Sequence, residues 1–157
     1  MEIINIIGEG YKGYFDKVRI ACRGIVIKNG MILLSHNRKH DLYMIPGGGL
    51  EEYESDDECV VRELSEETGM IIEATKCDFE VYEYYGDYQY ITKYYIGNII
   101  TEGKPKLTDE EKSIGLEPKW IKLSEAIEMF KKYESYKDID VMASGIYLRE
   151  YKALCNI

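Results

Sequence analysis

The order of apolar and polar positions predicts that the first part of the chain consists mainly of strands. Residues 19–28 are rich in β-branched and apolar side chains, and residues 31–35 resume the apolar run. Between them stands Asn29-Gly30, a dipeptide that favours a two-residue hairpin turn. We therefore expect a β-hairpin, then a polar loop and a short strand over residues 42–45. Pro46 and the three glycines that follow it are expected to interrupt regular structure.

Further strands are predicted downstream. Residues 71–85 and 88–100 predict two long strands joined around Gly86-Asp87, and this hairpin is rich in tyrosine. Residues 117–123, around Trp120, predict one more strand. In contrast, residues 101–116 combine glycine, proline and charged residues without a period, which predicts a long exposed loop.

Helices are predicted where capping signals precede apolar residues at helical spacing. Ser55 and Glu58 form a capping-box pattern, and Gly69 suits the position just past a helix end, so a helix is expected over residues 56–68. Ser124 is expected to cap a second helix, whose apolar face comprises Ala126, Met129, Phe130 and Tyr133. A third helix is expected to begin with Ile139, Met142, Ala143 and Ile146. Together the elements predict one mixed α/β domain over residues 1–157.

Acidic charge is concentrated in one segment of the chain. The sequence has 20 Lys and Arg against 29 Asp and Glu, and residues 51–67 hold nine of the acidic residues with a single base, Arg62. An acidic chain lacks the attraction to phosphate that dominates nucleic-acid binding, so a DNA or RNA polymer is not an expected partner. A folded segment with this much like charge needs a counter-charge.

Cysteine spacing and hydropathy bear on the compartment. The four cysteines have neither C-x-x-C nor metal-type spacing, which is typical of reduced thiols in an intracellular protein. No apolar stretch approaches bilayer length, and the N-terminus lacks the pattern of a secretion signal. We therefore expect a cytoplasmic protein without a membrane partner. The sequence leaves the choice between a monomer and a homodimer open.

Three glutamates share one side of the predicted helix. At about 100° per residue, Glu63, Glu66 and Glu67 fall in one sector of its last turns. The negative helix end and the like-charge pairs each disfavour this arrangement, by a few tenths to about 1 kcal/mol per group. A hard cation such as Mg²⁺ prefers oxygen ligands, would supply the counter-charge, and would assist phosphoryl-bond hydrolysis. The cluster therefore predicts a magnesium site, with Mn²⁺ as the alternative ion.

Two neighbouring features extend this cluster. The planar guanidinium of Arg62 suits the holding of a carboxylate. Glycines at positions 47–49 let the backbone approach an ion or a phosphate closely, which makes the Gly47 carbonyl a candidate ligand and Gly48 a candidate substrate contact. A solvated arginine and a plain tight turn are the alternatives that the residues alone leave open.

The same segment resembles the signature of the Nudix hydrolases. That signature is glycine, five residues, glutamate, seven residues, and then Arg-Glu-aliphatic-x-Glu-Glu-x-Gly-aliphatic. Here Gly48, Glu54 and the run from Arg62 to Met70 fill every defined position. So many constrained positions in one short stretch make a chance match far rarer than for a short glycine motif.

The resemblance implies a fold and a division of roles. The fold is an α/β/α sandwich around a mixed β-sheet, with residues 48–70 (the Nudix box) as a loop-helix-loop. Glu63, Glu66, Glu67 and the Gly47 carbonyl would bind the metal, and Glu54 and Arg62 would orient the site. The general base would be a box glutamate, Glu66 by preference, or a later loop glutamate, for which the candidates are Glu110, Glu111 and Glu117. Geometry has to decide among these.

The resemblance also implies a small-molecule nucleotide substrate. The reaction would be hydrolysis, by metal-activated water, of a pyrophosphate bond in a nucleoside di- or triphosphate or in another nucleoside diphosphate linked to some moiety. Arg38, in the loop after the predicted hairpin, is a candidate phosphate contact. Tyr88 is a candidate to stack on a base, as are Tyr85 and Tyr90. Solvated loop cations and tyrosine packing are the plainer explanations.

Two other functions stay open on the sequence. A nucleotide-sensing regulator of the same fold would bind without turnover, but such proteins generally add a DNA-binding domain or lose box glutamates, and neither is seen here. An isoprenoid-diphosphate isomerase is the second alternative. The complete box argues against it.

Overall fold

The computed structural model describes residues 1–157, which form nine strands, four α-helices and one 3-10 helix. The strands are β1 (Glu2–Ile7), β2 (Lys17–Ile25), β3 (Ile27–Lys28), β4 (Met31–Asn37), β5 (Leu42–Met44), β6 (Gly47–Gly49), β7 (Met70–Tyr85), β8 (Tyr88–Glu102) and β9 (Leu116–Lys122). The helices are α1 (Asp56–Thr68), α2 (Asp109–Ser113), α3 (Leu123–Lys131) and α4 (Val141–Leu154), and the 3-10 helix (Lys132–Tyr136) joins the last two.

The strands form two sheets. The first has five strands in the order β1-β7-β8-β2-β6. It is mixed, because β1 pairs with β7 and β2 with β8 in parallel, while β7 pairs with β8 and β2 with β6 in antiparallel fashion. The second sheet has four strands, with β3, β5 and β9 all antiparallel to β4.

Helix α1 forms where the capping signals predict it. The side chain of Ser55 accepts a hydrogen bond from the backbone N–H of Glu58, and the Glu58 carboxylate accepts one from the N–H of Ser55. Gly69 ends the helix with φ 77°, a left-handed conformation that glycine adopts without strain. The predicted range of residues 56–68 is confirmed.

Helices cover both faces of the five-stranded sheet. On one face α1 packs through Val60 and Leu64 against a core that includes Cys22 and Ile72. On the other face α3 and α4 pack through Phe130 and Tyr147 against a larger core, whose strand residues include Phe79, Val81 and Tyr94. The expected sandwich of helices around a mixed sheet is confirmed. None of the helices is both long enough and apolar enough to cross a membrane.

The first predicted hairpin is only partly correct. Asn29 and Gly30 do form the turn, with φ of 53° and 74°. However, the strand before the turn is interrupted at Val26, so only β3 pairs with β4 across it. Strand β2 lies in the other sheet, where its whole length pairs with β8. A distant partner therefore takes most of the strand that the local pattern assigns to the hairpin.

Three other local expectations are wrong. Residues 47–49 form strand β6 rather than an irregular turn, because backbone pairing with β2 requires no side chains. The expected long loop contains α2, which begins with a capping box formed by Thr108 and Glu111. Ser124 does not cap α3, since the helix already begins at Leu123, and Lys122 at its N-cap position makes no side-chain cap. Strand β1 has no counterpart among the predicted elements.

Candidate active site

Strand β6 brings the backbone of the glycine-rich segment against α1. Arg23 of β2 pairs with Gly47, and Cys22 with Gly48, so β6 is fixed at the edge of the five-stranded sheet. A Cβ atom on Gly48 would lie 2.5 Å from the carboxyl group of Glu63. Only glycine at this position leaves room for the carboxylate to lie directly over the backbone.

Arg62 is the hub of the charged cluster. Its Nε and Nη2 donate hydrogen bonds to the two carboxylate oxygens of Glu54, at 2.9 and 2.8 Å. Its Nη1 donates to Glu63 at 2.8 Å and to Glu66 at 3.2 Å. Nη2 also donates to the carbonyl of Gly49 at 3.2 Å. One guanidinium thus ties three glutamates of the box to the glycine strand, in the bidentate geometry that arginine favours.

The electrostatics of Glu54 follow from this pairing. The hydrogen bonds from Arg62 lower the pKa of Glu54 to about 2, so its carboxylate is ionised at neutral pH. In return, the hydrogen bond to Glu54 raises the pKa of Arg62. The pair is therefore a fixed ionic contact that positions the loop before α1 against the helix.

Glu67 faces inward, away from Arg62. Its Oε2 accepts a hydrogen bond from the hydroxyl of Ser35 at 2.9 Å and another from the backbone N–H of Gly47 at 3.2 Å. Burial raises the pKa of Glu67 to about 7, and the charge of Glu63 adds to that rise. The positive charge of Arg23 and the two hydrogen bonds oppose it. Burial outweighs these partners.

Glu63 is the second carboxylate whose negative charge is not fully compensated by its neighbours. Burial raises its pKa, while the hydrogen bond from Arg62 opposes the rise and the charge of Glu66 adds to it. The glutamate side chains of the box do not form a group of three carboxylates arranged to bind a metal ion. Arg62 contacts Glu63 and Glu66, and Glu67 is held by Ser35 and Gly47. The donors nonetheless fit a hard cation, because they are oxygen atoms and two of the carboxylates lack full charge compensation.

A comparison with known protein families bears on this geometry. The family model described as NUDIX domain matches residues 18–140 of the chain. The chain belongs to the Nudix family. It is a Nudix hydrolase, and members of this family hydrolyse pyrophosphate bonds in nucleoside derivatives.

Solved structures of other proteins share the fold. The crystal structure of MutT NUDIX hydrolase from Burkholderia pseudomallei has 22% identity and a TM-score of 0.56, over 69% of this chain and 86% of that one. The MutT protein from Methanosarcina mazei Go1 has 20% identity and a TM-score of 0.57, over 72% and 83%. The solution structure of the E. coli ORF135 protein has 19% identity and a TM-score of 0.57, over 71% and 79%. At such identities the likeness concerns the fold.

The three loop glutamates of this Nudix hydrolase lie in different surroundings. Glu111 belongs to α2, and its charge raises the pKa of Glu63, so it lies within electrostatic range of the Nudix box. Glu117 of β9 is held instead by His36, whose Nδ1 lies 3.2 Å from its carboxylate. This contact lowers the pKa of Glu117. No side-chain contact joins Glu110 to the box.

Two residues predicted to bind substrate lie away from the Nudix glutamates. Arg38 is exposed, and its Nε donates a hydrogen bond to the carbonyl of Gly115 at 3.1 Å. Tyr88 stacks on Tyr90 with ring centroids 5.3 Å apart, and the ammonium of Lys17 lies over the Tyr88 ring, 5.2 Å from its centroid. Neither side chain contacts a residue of the box. Their roles in substrate binding stay predictions.

The structure adds two residues that the sequence analysis does not single out. Ser35, near the end of β4, contacts Glu67 directly. Arg23 is buried in β2, where its Nη1 donates to the carbonyl of Ile45 at 2.7 Å and its Nε has no partner. The signal for Arg23 is a charged residue within an apolar strand. The signal for Ser35 is weaker, because a serine at a strand end is common.

Proposed function

We propose that this Nudix hydrolase is a divalent-cation-dependent pyrophosphohydrolase that acts on a nucleoside di- or triphosphate, or on another nucleoside diphosphate linked to some moiety. The proposed cation is Mg²⁺, with Mn²⁺ as the alternative. The observation that carries the proposal is the pair Glu63 and Glu67, two carboxylates of one helix whose pKa values are raised by burial beside the backbone of β6. Such a pair is stabilised by a cation and is costly without one.

The proposed ligands are the carboxylates of Glu63, Glu66 and Glu67 and the carbonyl of Gly47. When bound, the cation would polarise a phosphoryl oxygen and lower the pKa of an attacking water. Glu66 is the proposed general base. Its carboxylate is held only by a 3.2 Å contact with Arg62 and is the most exposed of the three. Substrate phosphates and water reach it more easily than they reach Glu67.

Arg62 and Glu54 are proposed as positioning residues. Their bidentate contact holds the loop before α1, while the same guanidinium orients Glu63 and Glu66. Fixing the carboxylates in this way lowers the cost of arranging them around a substrate. Glu111 is the second candidate for the base, because its charge acts on Glu63.

We further propose that the whole chain acts as one domain, whether as a monomer or a homodimer, on small nucleotides in the cytoplasm. Two elements outside the matched range support the single domain. Strand β1 extends the sheet through β7, and Glu150 of α4 accepts a hydrogen bond from the backbone N–H of Ile45 at 2.7 Å, just before the glycine strand. The four cysteines are free, which agrees with a reducing compartment.

A nucleotide panel tests the proposed function. The purified chain is incubated with nucleoside di- and triphosphates and with sugar-linked nucleoside diphosphates, with Mg²⁺, with Mn²⁺ and with EDTA, and release of phosphate or pyrophosphate is measured. We expect cation-dependent turnover of at least one compound. Glu67→Gln should lose nearly all of it, whereas Glu73→Gln, an exposed glutamate of β7, should keep it. Tight binding without turnover throughout would instead indicate a nucleotide-binding regulator and refute the proposal.

A further inference from the structure

Strand β1 is an unpaired edge of the five-stranded sheet. It pairs in parallel with β7, and no strand lies on its other side. The N–H of Gly8, just after β1, donates to the carbonyl of Tyr84 in β7 at 2.9 Å. Because the backbone groups of successive residues point to opposite sides of a strand, the even-numbered residues of β1 bond to β7 and the odd-numbered ones point outward. Ile3, Asn5 and Ile7 therefore present free backbone donors and acceptors at the sheet edge.

This edge lacks the features that protect most exposed strands. Natural edge strands are commonly shielded by proline, lysine, a bulge or a covering loop. The six residues of β1, Glu-Ile-Ile-Asn-Ile-Ile, include neither proline nor lysine, and their register with β7 has no bulge. The one charged residue, Glu2, stands at the start of the strand. An edge of this composition favours pairing with a further strand.

The side chains of the outward-bonding residues also share one face of the sheet. Their neighbours Ile4 and Ile6 pack with the core beneath α3 and α4. Since side chains alternate between the two faces along a strand, Ile3, Asn5 and Ile7 project from the opposite face. The two isoleucines are 44% and 65% exposed. The edge thus carries two uncovered apolar side chains, one on each side of a central asparagine.

We infer that β1 pairs in antiparallel fashion with β1 of a second copy of the chain, centred on Asn5, and so joins the two five-stranded sheets. Residues opposite each other in an antiparallel pair exchange both backbone hydrogen bonds when their N–H and C=O groups point toward the other strand. In the inferred register Ile3 lies opposite Ile7 of the partner subunit, and Asn5 lies opposite Asn5 of the partner subunit. Both exposed isoleucines of the edge then gain an apolar cross-strand neighbour, which stabilises a strand pair. The contact is self-complementary, as a two-fold dimer requires.

Other registers satisfy the edge less well. A shift by one residue would set the outward residues opposite even-numbered ones, whose backbone groups are already bonded to β7. A shift by two residues keeps the outward groups together, but it places Ile3 opposite an asparagine and Ile7 beyond the paired segment. The spacing of the exposed isoleucines about Asn5 therefore selects one register, and it selects a copy of the same strand as the occupant.

The acidity of the chain does not oppose this pairing. Most of the net negative charge comes from residues 51–67, and the Nudix glutamates among them lie beside β6, at the other edge of the sheet. Strands are about 4.8 Å apart, so the glutamates of the two copies would be separated by roughly 40 Å. The Debye length at physiological ionic strength is about 8 Å, so their repulsion is screened. Both boxes also stay open, and the inference does not depend on the proposed function.

Sedimentation velocity of the full chain at increasing concentration tests the inference without substrate or metal. A contact made mainly by one strand is smaller than a standard interface, which places it among the weaker associations. We expect a monomer of 18.3 kDa at low concentration and a dimer of twice that mass at about 100 µM and above. A monomer at every concentration up to about 1 mM would overturn the inference.

Charge variants test the register. Ile3→Lys combined with Ile7→Lys sets like charges opposite each other and should weaken association by about tenfold or more. Ile3→Lys combined with Ile7→Glu changes the same two residues but sets opposite charges across the contact, so it should associate about tenfold more strongly than the double lysine variant. Ile100→Lys is the matched control, because Ile100 is 67% exposed on β8, and it should associate like the natural chain.

A backbone variant tests the pairing itself. Asn5→Pro removes an N–H that points away from β7, which an edge strand tolerates, and its ring would block a second strand. The dimer should be lost while the far-UV circular dichroism of the chain is unchanged. If Asn5→Pro does not fold, the charge variants decide. A dimer that persists in the double lysine variant would use another surface and overturn the inference, as would equal association of the two double variants.

Discussion

The hydroxyl of Ser35 donates a hydrogen bond to Glu67 at 2.9 Å and thereby joins the four-stranded sheet to the end of α1. The same carboxylate oxygen accepts a second hydrogen bond from the backbone of Gly47 in the other sheet. Glu67 thus lies where both sheets and the helix meet. Two donors and the charge of Arg23 do not cancel the effect of burial, and the pKa of Glu67 is about 7.

This elevated pKa predicts a pH dependence of stability. An unfolded glutamate has a pKa of about 4.3, so between that value and about 7 the folded state holds a proton that the unfolded state has lost. The free energy of unfolding should therefore fall as pH rises through this window, by at most about 1.4 kcal/mol per pH unit. Urea denaturation in EDTA, compared with Glu67→Gln, isolates this contribution because the variant cannot titrate there.

Comparing the natural chain with Glu67→Gln also tests whether a cation binds at Glu67. At pH 8, Mg²⁺ should raise the unfolding midpoint of the natural chain and have a smaller effect on Glu67→Gln, since binding to the folded state stabilises it. Glu73→Gln, whose glutamate is exposed on β7, should behave like the natural chain in both experiments. Parallel pH curves for the natural chain and Glu67→Gln would show that Glu67 is not the titrating group.

Arg62→Lys should lower kcat/KM by about 10- to 100-fold, as is typical when a residue that orients metal ligands is changed. Lysine keeps the charge but cannot make the two parallel hydrogen bonds to Glu54 while also reaching Glu63. Arg19→Lys changes an exposed arginine of β2 and should have no effect. Full activity of folded Arg62→Lys would mean that charge alone suffices at this position.

Gly48→Ala should reduce turnover by about tenfold or more. The added methyl group would meet the Glu63 carboxylate at 2.5 Å and displace it, and small displacements of reacting groups are costly. The neighbouring Gly49→Ala is the control, because a Cβ at that glycine meets no atom within 4 Å. Kinetics on both variants at the same cation concentration distinguish the two sites. Equal losses of turnover in the two variants would mean that both disturb strand β6, and not that Gly48→Ala displaces Glu63.

Ser55→Ala should lower the free energy of unfolding by about 1 kcal/mol, because it removes one half of the capping box of α1. Ser124→Ala provides a matched comparison at the start of α3, where no side chain caps the helix. Its effect should stay below about 0.5 kcal/mol. Urea denaturation of both variants gives the difference directly, and a larger effect for Ser124→Ala would contradict the helix starts described above.

The parts of the fold that the sequence predicts well are those set by local chemistry. Ser55, Glu58 and Gly69 fix the two ends of α1 through bonds within a few residues, and Asn29-Gly30 fixes a turn through its backbone conformation. The pairing of β2 with β8 is different, because its partners are about 70 residues apart. A local pattern carries no information about which distant strand completes a sheet, so the hairpin that the sequence predicts is longer than the one in the structure.

In the candidate site, too, contacts between residues close in sequence are predictable and contacts between distant residues are not. The contact of Arg62 with Glu66 follows from helical spacing, since the two residues are four positions apart, and it is found in the structure. Ser35 and Arg23 act on Glu67 from two separate strands, and their local sequence does not predict that they lie near this glutamate. Likewise, Tyr85 and Tyr90 line a cavity while Tyr88 stacks outside its lining, a distinction that depends on where α4 packs. Residues that act through tertiary contact require the fold to be seen.

The hydrogen bond between Glu150 and the N–H of Ile45 spans 105 residues and anchors the chain just ahead of the glycine strand. During synthesis on a ribosome, the strand emerges long before the helix that holds it. A nascent chain lacking α4 would leave that N–H without its acceptor and the glycine segment free to move. The position of the glycine segment beside α1 therefore depends on the docking of α4 as well as on the Nudix box itself.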